Sequence, residues 1–263
     1  MKINILNVVL LRKRCYNKAI INKRDDTHME PVRLLEALAV AEKLKDATRH
    51  CYTSGGRRES VAEHSWRITL MAYFVSDEFP EADIEKLMKM CLIHDLGEAF
   101  TGDIPTFEKT ESDEEKEAQR LKEWVRQLPK PFAEEMQALY QEMEERQTLE
   151  ARIYKALDNL EALIQHNESD ISTWIPLEYD LQMTYGNDKV QFSEYLTKLR
   201  DEVRNDSRKK IAECRAKSAL HKAGQVVLEG HIKHCVREGI EHGDPDKTIE
   251  NFTKAVEHFA NMK

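Results

Sequence analysis

Residues 82–106 read ADIEKLMKMCLIHDLGEAFTGDIPT, and this stretch decides the fold class. Ile84, Leu87, Met88, Cys91 and Leu92 recur at helical spacing, so a helix is expected from about Ala82 to Leu96. Gly97 and Gly102 end it, and Pro105 blocks any continuation. Working outward, residues 60–77 place Val61, Ile68, Met71, Ala72 and Val75 on one helical face. Residues 31–47 do the same with Leu34, Leu35, Leu38, Val40, Ala41 and Leu44. Between those two helices, TRHCYTSGGRRES carries adjacent glycines and is expected to be a loop. Beyond Pro105, residues 111–127 predict a solvated helix rich in Glu and Lys, ended by Pro129 and Pro131. Residues 132–167 predict one or two long helices, with Leu149, Ile153, Leu157, Leu160 and Ile164 in register. Residues 170–187 read as loop and short turns, and 189–212 as helix again. No strand-like alternation of any length occurs, so the expected class is all-α, a helical bundle with a helical C-terminal extension.

Composition agrees and excludes several functions. Only 9 glycines and 7 prolines occur in 263 residues, and neither GxGxxG nor GxxxxGK[ST] is present, so a glycine-rich nucleotide cradle is not expected. No apolar run approaches the roughly 20 residues a membrane span needs. Five scattered cysteines read as reduced thiols of a cytoplasmic protein rather than a disulfide framework. Residues 1–28 hold an apolar run whose charges follow it instead of preceding it, so they read as a poorly ordered leader, with Met29 as an alternative start. The net charge of −8 is unevenly spread: +5 over 1–28, −16 over 29–197, +6 over 198–237 and −3 over 238–263. So acidic a body repels a nucleic-acid backbone, whereas a small phosphorylated substrate can be held if a metal ion supplies local positive charge.

Four polar residues stand where the helical patterns call for apolar ones or their borders. His64 lies between Val61 and Ile68, His94 and Asp95 follow Cys91, Leu92 and Ile93, and Asp158 lies between Leu157 and Leu160. Taken singly, each has an ordinary account: a satisfied core histidine, a helix cap, a salt-bridge partner. Together they leave two carboxylates in apolar surroundings, at a cost of several kcal/mol each unless compensated. Two imidazoles and two carboxylates around one divalent cation provide that compensation. The set suits Mn²⁺, Fe²⁺, Co²⁺, Zn²⁺ or Mg²⁺ and leaves positions open for water and substrate.

The segments ESVAEHSWRITLMA, LIHDLGEAFTGDIPTFEK and KALDNLEALIQH resemble the signature segments of HD-domain phosphohydrolases, closest to the YfbR-like 5′-deoxynucleotidase branch, over about residues 30–205. The resemblance implies an all-helical domain and a homodimer. It also implies one divalent metal held by His64, His94, Asp95 and Asp158, and hydrolysis of deoxynucleoside 5′-monophosphates. By position, Glu98 matches the family's catalytic carboxylate, which can assist proton transfer between water, phosphorus and the leaving alkoxide. Asp103, Ile104, Pro105 and Thr106 match a loop that contacts the nucleoside, and Arg49 matches a phosphate-binding arginine. His50 stands where that branch has a tryptophan that disfavours ribose, so tolerance of a 2′-hydroxyl is expected here.

The tail, CRAKSALHKAGQVVLEGHIKHCVREGIEHGDPDKTIENFTKAVEHF, resembles the C-terminal half of CsoR-like metal-sensing repressors. That resemblance implies soft-metal binding by His231 and Cys235, which share one face of an α-helix. The family's remaining cysteine would fall near Asp206 by spacing, and the family's first helix is missing. The expected organisation is a leader (1–28), a phosphohydrolase domain (29–205) and a helical extension (206–263). Two alternatives to nucleotide hydrolysis stand beside it: regulatory metal sensing through the tail, and hydrolysis of another phosphoester. No second motif of the kind found in cyclic-dinucleotide hydrolases follows residue 158.

Overall fold

Ser60 opens the helix on which the rest is built. Its hydroxyl accepts from the Glu63 amide at 3.3 Å, while the Glu63 carboxylate accepts from the Ser60 amide at 2.9 Å, a reciprocal cap that fixes where the helix begins. In this computed structural model, which describes residues 27–260, that helix is α2 (Val61–Phe74). Before it come α1 (Pro31–Ala41), a 3₁₀ turn (Glu42–Lys45), and an antiparallel hairpin of β1 (Thr48–Tyr52) and β2 (Arg58–Ser60). After it come α3 (Ile84–Ile93), the single turn α4 (Glu98–Thr101), α5 (Glu111–Val125), α6 (Lys130–Glu145) and α7 (Leu149–Glu168). Then follow α8 (Pro176–Thr184), α9 (Asn187–Val190), α10 (Glu194–His231), a π-helical turn (Ile232–Val236), α11 (Arg237–His242) and α12 (Pro245–Ala260). The all-helical class holds, with the hairpin as its one exception among the described residues.

The core forms where α2, α3, α7 and the first turns of α10 meet. Ile68, Leu87, Met90, Leu157, Leu160 and Leu196 are at most 1% exposed there. Burying each such side chain contributes roughly 1.5–3 kcal/mol, so the helices that carry His64 and Asp158 are held by their neighbours rather than by propensity alone. Among the described residues, no helix is long and apolar enough to cross a membrane.

Four expectations need correction. The 48–60 segment is a hairpin, not a loop, closed by Thr53 N–H to Arg57 O at 2.8 Å, with Gly56 at φ 82 in its turn. Both strand faces carry polar residues, so no apolar alternation advertises it. The 170–187 segment holds α8, which opens on Pro176 at its first turn. The 82–96 helix ends at Ile93, placing His94 and Asp95 in the turn beyond it. The helix expected over 189–212 begins at Glu194 and runs to His231. The apolar stripe of α1 also behaves differently from a core face, since Val32, Leu34, Leu35 and Leu38 are exposed and Leu44 alone of that pattern is buried. The leader reading of 1–28 lies outside the described residues except at 27 and 28.

Candidate active site

His64 sits in the first turn of α2 and is 1% exposed; Asp158 sits midway along α7; His94 and Asp95 occupy the turn after α3. These elements cross so that the four side chains converge. His64 Nε2 lies 3.2 Å from Asp158 Oδ1 and 3.7 Å from Asp95 Oδ2, and His94 Nε2 lies 3.0 Å from Asp95 Oδ2. One ligand atom from each of His64, His94 and Asp158 falls within 4.8 Å of the others.

Each imidazole is oriented from behind. His94 Nδ1 lies 2.9 Å from the Cys91 carbonyl, which makes Nδ1 the protonated nitrogen. His94 Nε2 is buried and has no hydrogen-bond partner. His64 Nδ1 bonds to Glu161 Oε2, which leaves its Nε2 for the centre. Lys155 Nζ holds Asp158 Oδ2 at 2.6 Å and leaves Oδ1 facing the imidazoles. Second partners of this kind fix ligand tautomer and direction in metal sites. Two imidazole Nε2 nitrogens and two carboxylates aimed at one point, with one nitrogen otherwise orphaned, fit a divalent cation.

A second carboxylate–imidazole group, Glu59, His64 and Glu161, lies behind the first. Its positive charge comes from Arg49, whose Nη1 is 2.9 Å from Glu59 Oε2 and 3.1 Å from Glu161 Oε2. Arg49 therefore braces His64, which its expected role on phosphate did not foresee. Its Nε and Nη2 make no hydrogen bond among the described residues, and its side chain lines the cavity.

The electrostatics follow from this crowding. Burial and the Arg49 charge push His64 down, but bonds to Asp158 and Glu161 carry it up to about 9. Burial pushes Asp95 up, and the neighbouring His94 and His64 imidazoles outweigh it and hold it at about 2. Burial likewise raises Asp158, yet Lys155 and His64 keep it well below the usual carboxylate range. Glu98, at the start of α4 and 7% exposed, goes the other way: burial first, then Asp95 and Asp103, push it up to about 10. Its Oε2 has no hydrogen-bond partner.

All of this opens on one cavity of about 470 Å³. Arg49, His50, Glu98 and the Asp103–Thr106 loop line it along with His64, Asp95 and Asp158. Gly102, at φ 79, turns the chain out of α4 into that loop. The hairpin explains how adjacent residues Arg49 and His50 both reach the cavity. Thr48 pairs with Ser60 and Tyr52 with Arg58, so β1 spends four steps against two on β2. An irregularity of this kind re-aims side chains beside a site. His50 packs edge-on against Phe107 at 5.6 Å and sits 3.2 Å from the Glu178 carboxylate.

The sequence reading missed Glu59, Glu161, Lys155, Glu178 and His166. Glu161 carried a signal, being one helical turn beyond Asp158 between the buried Leu160 and Leu163. Glu59 and Glu178 carried none, since only the tertiary fold sets them beside Arg49 and His50.

Against known families, residues 41–200 match the model described as the HD domain. The chain belongs to the HD-domain family. Human 5′-deoxynucleotidase HDDC2 (Homo sapiens) is 30% identical over 139 residues, spanning 51% of this chain and 67% of that protein. A predicted metal-dependent phosphohydrolase from Magnetospirillum magnetotacticum is 29% identical, with a TM-score of 0.56, covering 68% of this chain and 96% of its own. A conserved hypothetical protein from Pyrococcus furiosus is 32% identical, with a TM-score of 0.53, covering 65% and 99%. This HD-domain chain is a metal-dependent phosphohydrolase.

Residues 215–258 match a second model, described as a metal-sensitive transcriptional repressor. The HD-domain helix α10 runs unbroken into that region, and α12 returns to it, stacking Phe259 on His221 at 4.8 Å. The α-helical register expected to align His231 with Cys235 gives way to the π turn Ile232–Val236, and Cys235 is exposed.

Proposed function

We propose that the protein hydrolyses nucleoside 5′-monophosphates, deoxy and ribo, to nucleoside and phosphate. The observation that carries this reading is the convergence of His64, His94, Asp95 and Asp158 beside one cavity that a free-edged arginine, Arg49, and a buried carboxyl, Glu98, also line. The relatives named 5′-deoxynucleotidase support the substrate class.

His64, His94, Asp95 and Asp158 would hold one divalent cation, which supplies Lewis acidity toward water and charge neutralisation at the phosphoryl group. Arg49 offers its unengaged guanidinium edge to the phosphate oxygens, while its Nη1 keeps Glu59 and Glu161 behind His64. Glu98, protonated at neutral pH by its burial, donates its proton to the departing 5′-oxygen. Asp103 accepts from a sugar hydroxyl, and Ile104, Pro105 and Thr106 wall the nucleoside. His50 is smaller than an indole at the same position, which leaves room for a ribose 2′-hydroxyl. The alternative of metal sensing by the tail rests on the family match alone. Among the described residues, none beyond Lys189 lines the cavity.

The test is phosphate release from paired deoxy- and ribonucleoside 5′-monophosphates by protein stripped and reloaded with Mn²⁺, Co²⁺, Zn²⁺ or Mg²⁺. Release with at least one metal is expected, and Asp95→Ala should lose metal uptake and turnover together. An Asp95→Ala protein that keeps both refutes the metal centre, and release from no monophosphate with any metal refutes the substrate class.

A further inference from the structure

On α8, in the wall of the same cavity, lies a carboxylate that the hydrolysis does not use. Glu178 is 2% exposed and lines the cavity. Its Oε2 is fixed, accepting the Ile175 amide at 2.7 Å as the cap of α8. Its Oε1 is buried and accepts no hydrogen bond. Two imidazole nitrogens flank Oε1, His50 Nε2 at 3.2 Å and His166 Nε2 at 3.4 Å, yet neither ring aims an N–H along that line. The His50 Nε2 atom is itself buried without a hydrogen-bond partner. Buried polar atoms are satisfied with few exceptions, and an unpaired carboxylate oxygen among cavity-lining groups is an acceptor waiting for a donor.

Position says which donor. Asp158 and His166 share α7 and are eight residues apart, about 12 Å along the helix axis. That is comparable to the reach of a nucleoside monophosphate from its phosphorus to the far edge of its base. Between them the cavity wall is Asn159, Ala162 and Leu163, and the last two offer an apolar surface to a sugar and ring. With phosphorus at the metal ligands, the base edge therefore arrives at Glu178.

We propose that Glu178, flanked by His50 and His166, reads the nucleobase by accepting a hydrogen bond from an exocyclic amine. This rests on the nucleotidase reading above and adds base selectivity to it. Cytosine and adenine present an –NH₂ group at that edge. Uracil and hypoxanthine present a carbonyl oxygen at that position, two acceptors with no proton between them, and their ring N–H lies one atom further along the edge. A site built to accept a hydrogen bond rejects the analogue that lacks the donor.

The experiment compares kcat/KM of the metal-loaded enzyme on CMP against UMP, and on AMP against IMP. The amino-bearing member should be favoured by at least about tenfold in both pairs. Glu178→Gln keeps an acceptor for the Ile175 amide, and its carboxamide serves donor and acceptor alike, so both ratios should fall toward one, chiefly through KM. Ratios near one in the wild type, or ratios unchanged in Glu178→Gln, overturn the inference and leave the hydrolytic reading standing. Release from none of the four nucleotides or their deoxy counterparts would instead remove the hydrolytic reading. Equilibrium dialysis of cytidine against uridine then decides the subsite alone: a cytidine preference lost in Glu178→Gln upholds it, and equal binding overturns it.

Discussion

Replacing Glu98 with Gln separates the chemistry of this carboxyl from its cost to the fold. In the unfolded chain Glu98 ionises near 4.5, whereas in the native protein burial and the nearby Asp95 and Asp103 push it up to about 10. The native state therefore keeps a proton that the unfolded state releases, so Glu98 lowers stability as pH rises from about 4.5 toward 10. About 2.5 pH units at roughly 1.4 kcal/mol each make this about 3 kcal/mol by pH 7. A glutamine does not titrate, and the burial of its amide shifts stability equally at every pH. Relative to the wild type, Glu98→Gln should thus gain about 3 kcal/mol between pH 4.5 and 7, or roughly 6–12 °C in Tm. Urea unfolding of both proteins, in chelator and at several pH values, measures the difference directly. Phosphate release by the same variant, metal-loaded, should fall by roughly 10²–10⁴-fold. A stability difference that stays flat with pH would mean that Glu98 is ionised in the native protein, and the proton-donor role would go with it.

Two further outcomes follow from the groups behind the site. Arg49→Ala leaves Glu59, 3% exposed at the side chain, without its cation and leaves the buried Glu161 to His64 and Arg67 alone, and should cost about 3–5 kcal/mol in urea unfolding. A loss below about 1 kcal/mol would show that Arg49 faces the substrate alone. Glu161→Gln replaces the carboxylate that orients His64 with a neutral amide oxygen, a weaker acceptor, without removing any of the four proposed ligands, so metal affinity should weaken by about 10–100-fold in a competition titration. Unchanged affinity would mean that His64 is held by packing.

The sequence by itself determined the helical class, because period-3.6 apolar patterns with few glycines and prolines admit little else. It also marked His64, His94, Asp95 and Asp158. A histidine or carboxylate inside an apolar run is anomalous locally, and the anomaly is visible without knowing what it touches. Glu161 was legible in principle for the same reason, one turn beyond Asp158. The hairpin was not: its strands put Arg49 and His50 toward one site and draw on polar residues throughout, so the alternation that marks a half-buried strand never appears. The α1 stripe erred in the other direction, since amphipathic spacing records a helix but not whether a neighbour covers it. Tertiary structure alone decided which charges meet. Arg49 reaches Glu161 across 112 residues and Glu178 reaches His50 across 128, and nothing local in either segment encodes the partner. Tertiary structure also decided protonation. Asp95 and Glu98 are ordinary carboxyls three positions apart in the chain, and the fold sends one to about 2 and the other to about 10, because one faces two imidazoles and the other faces burial and like charge.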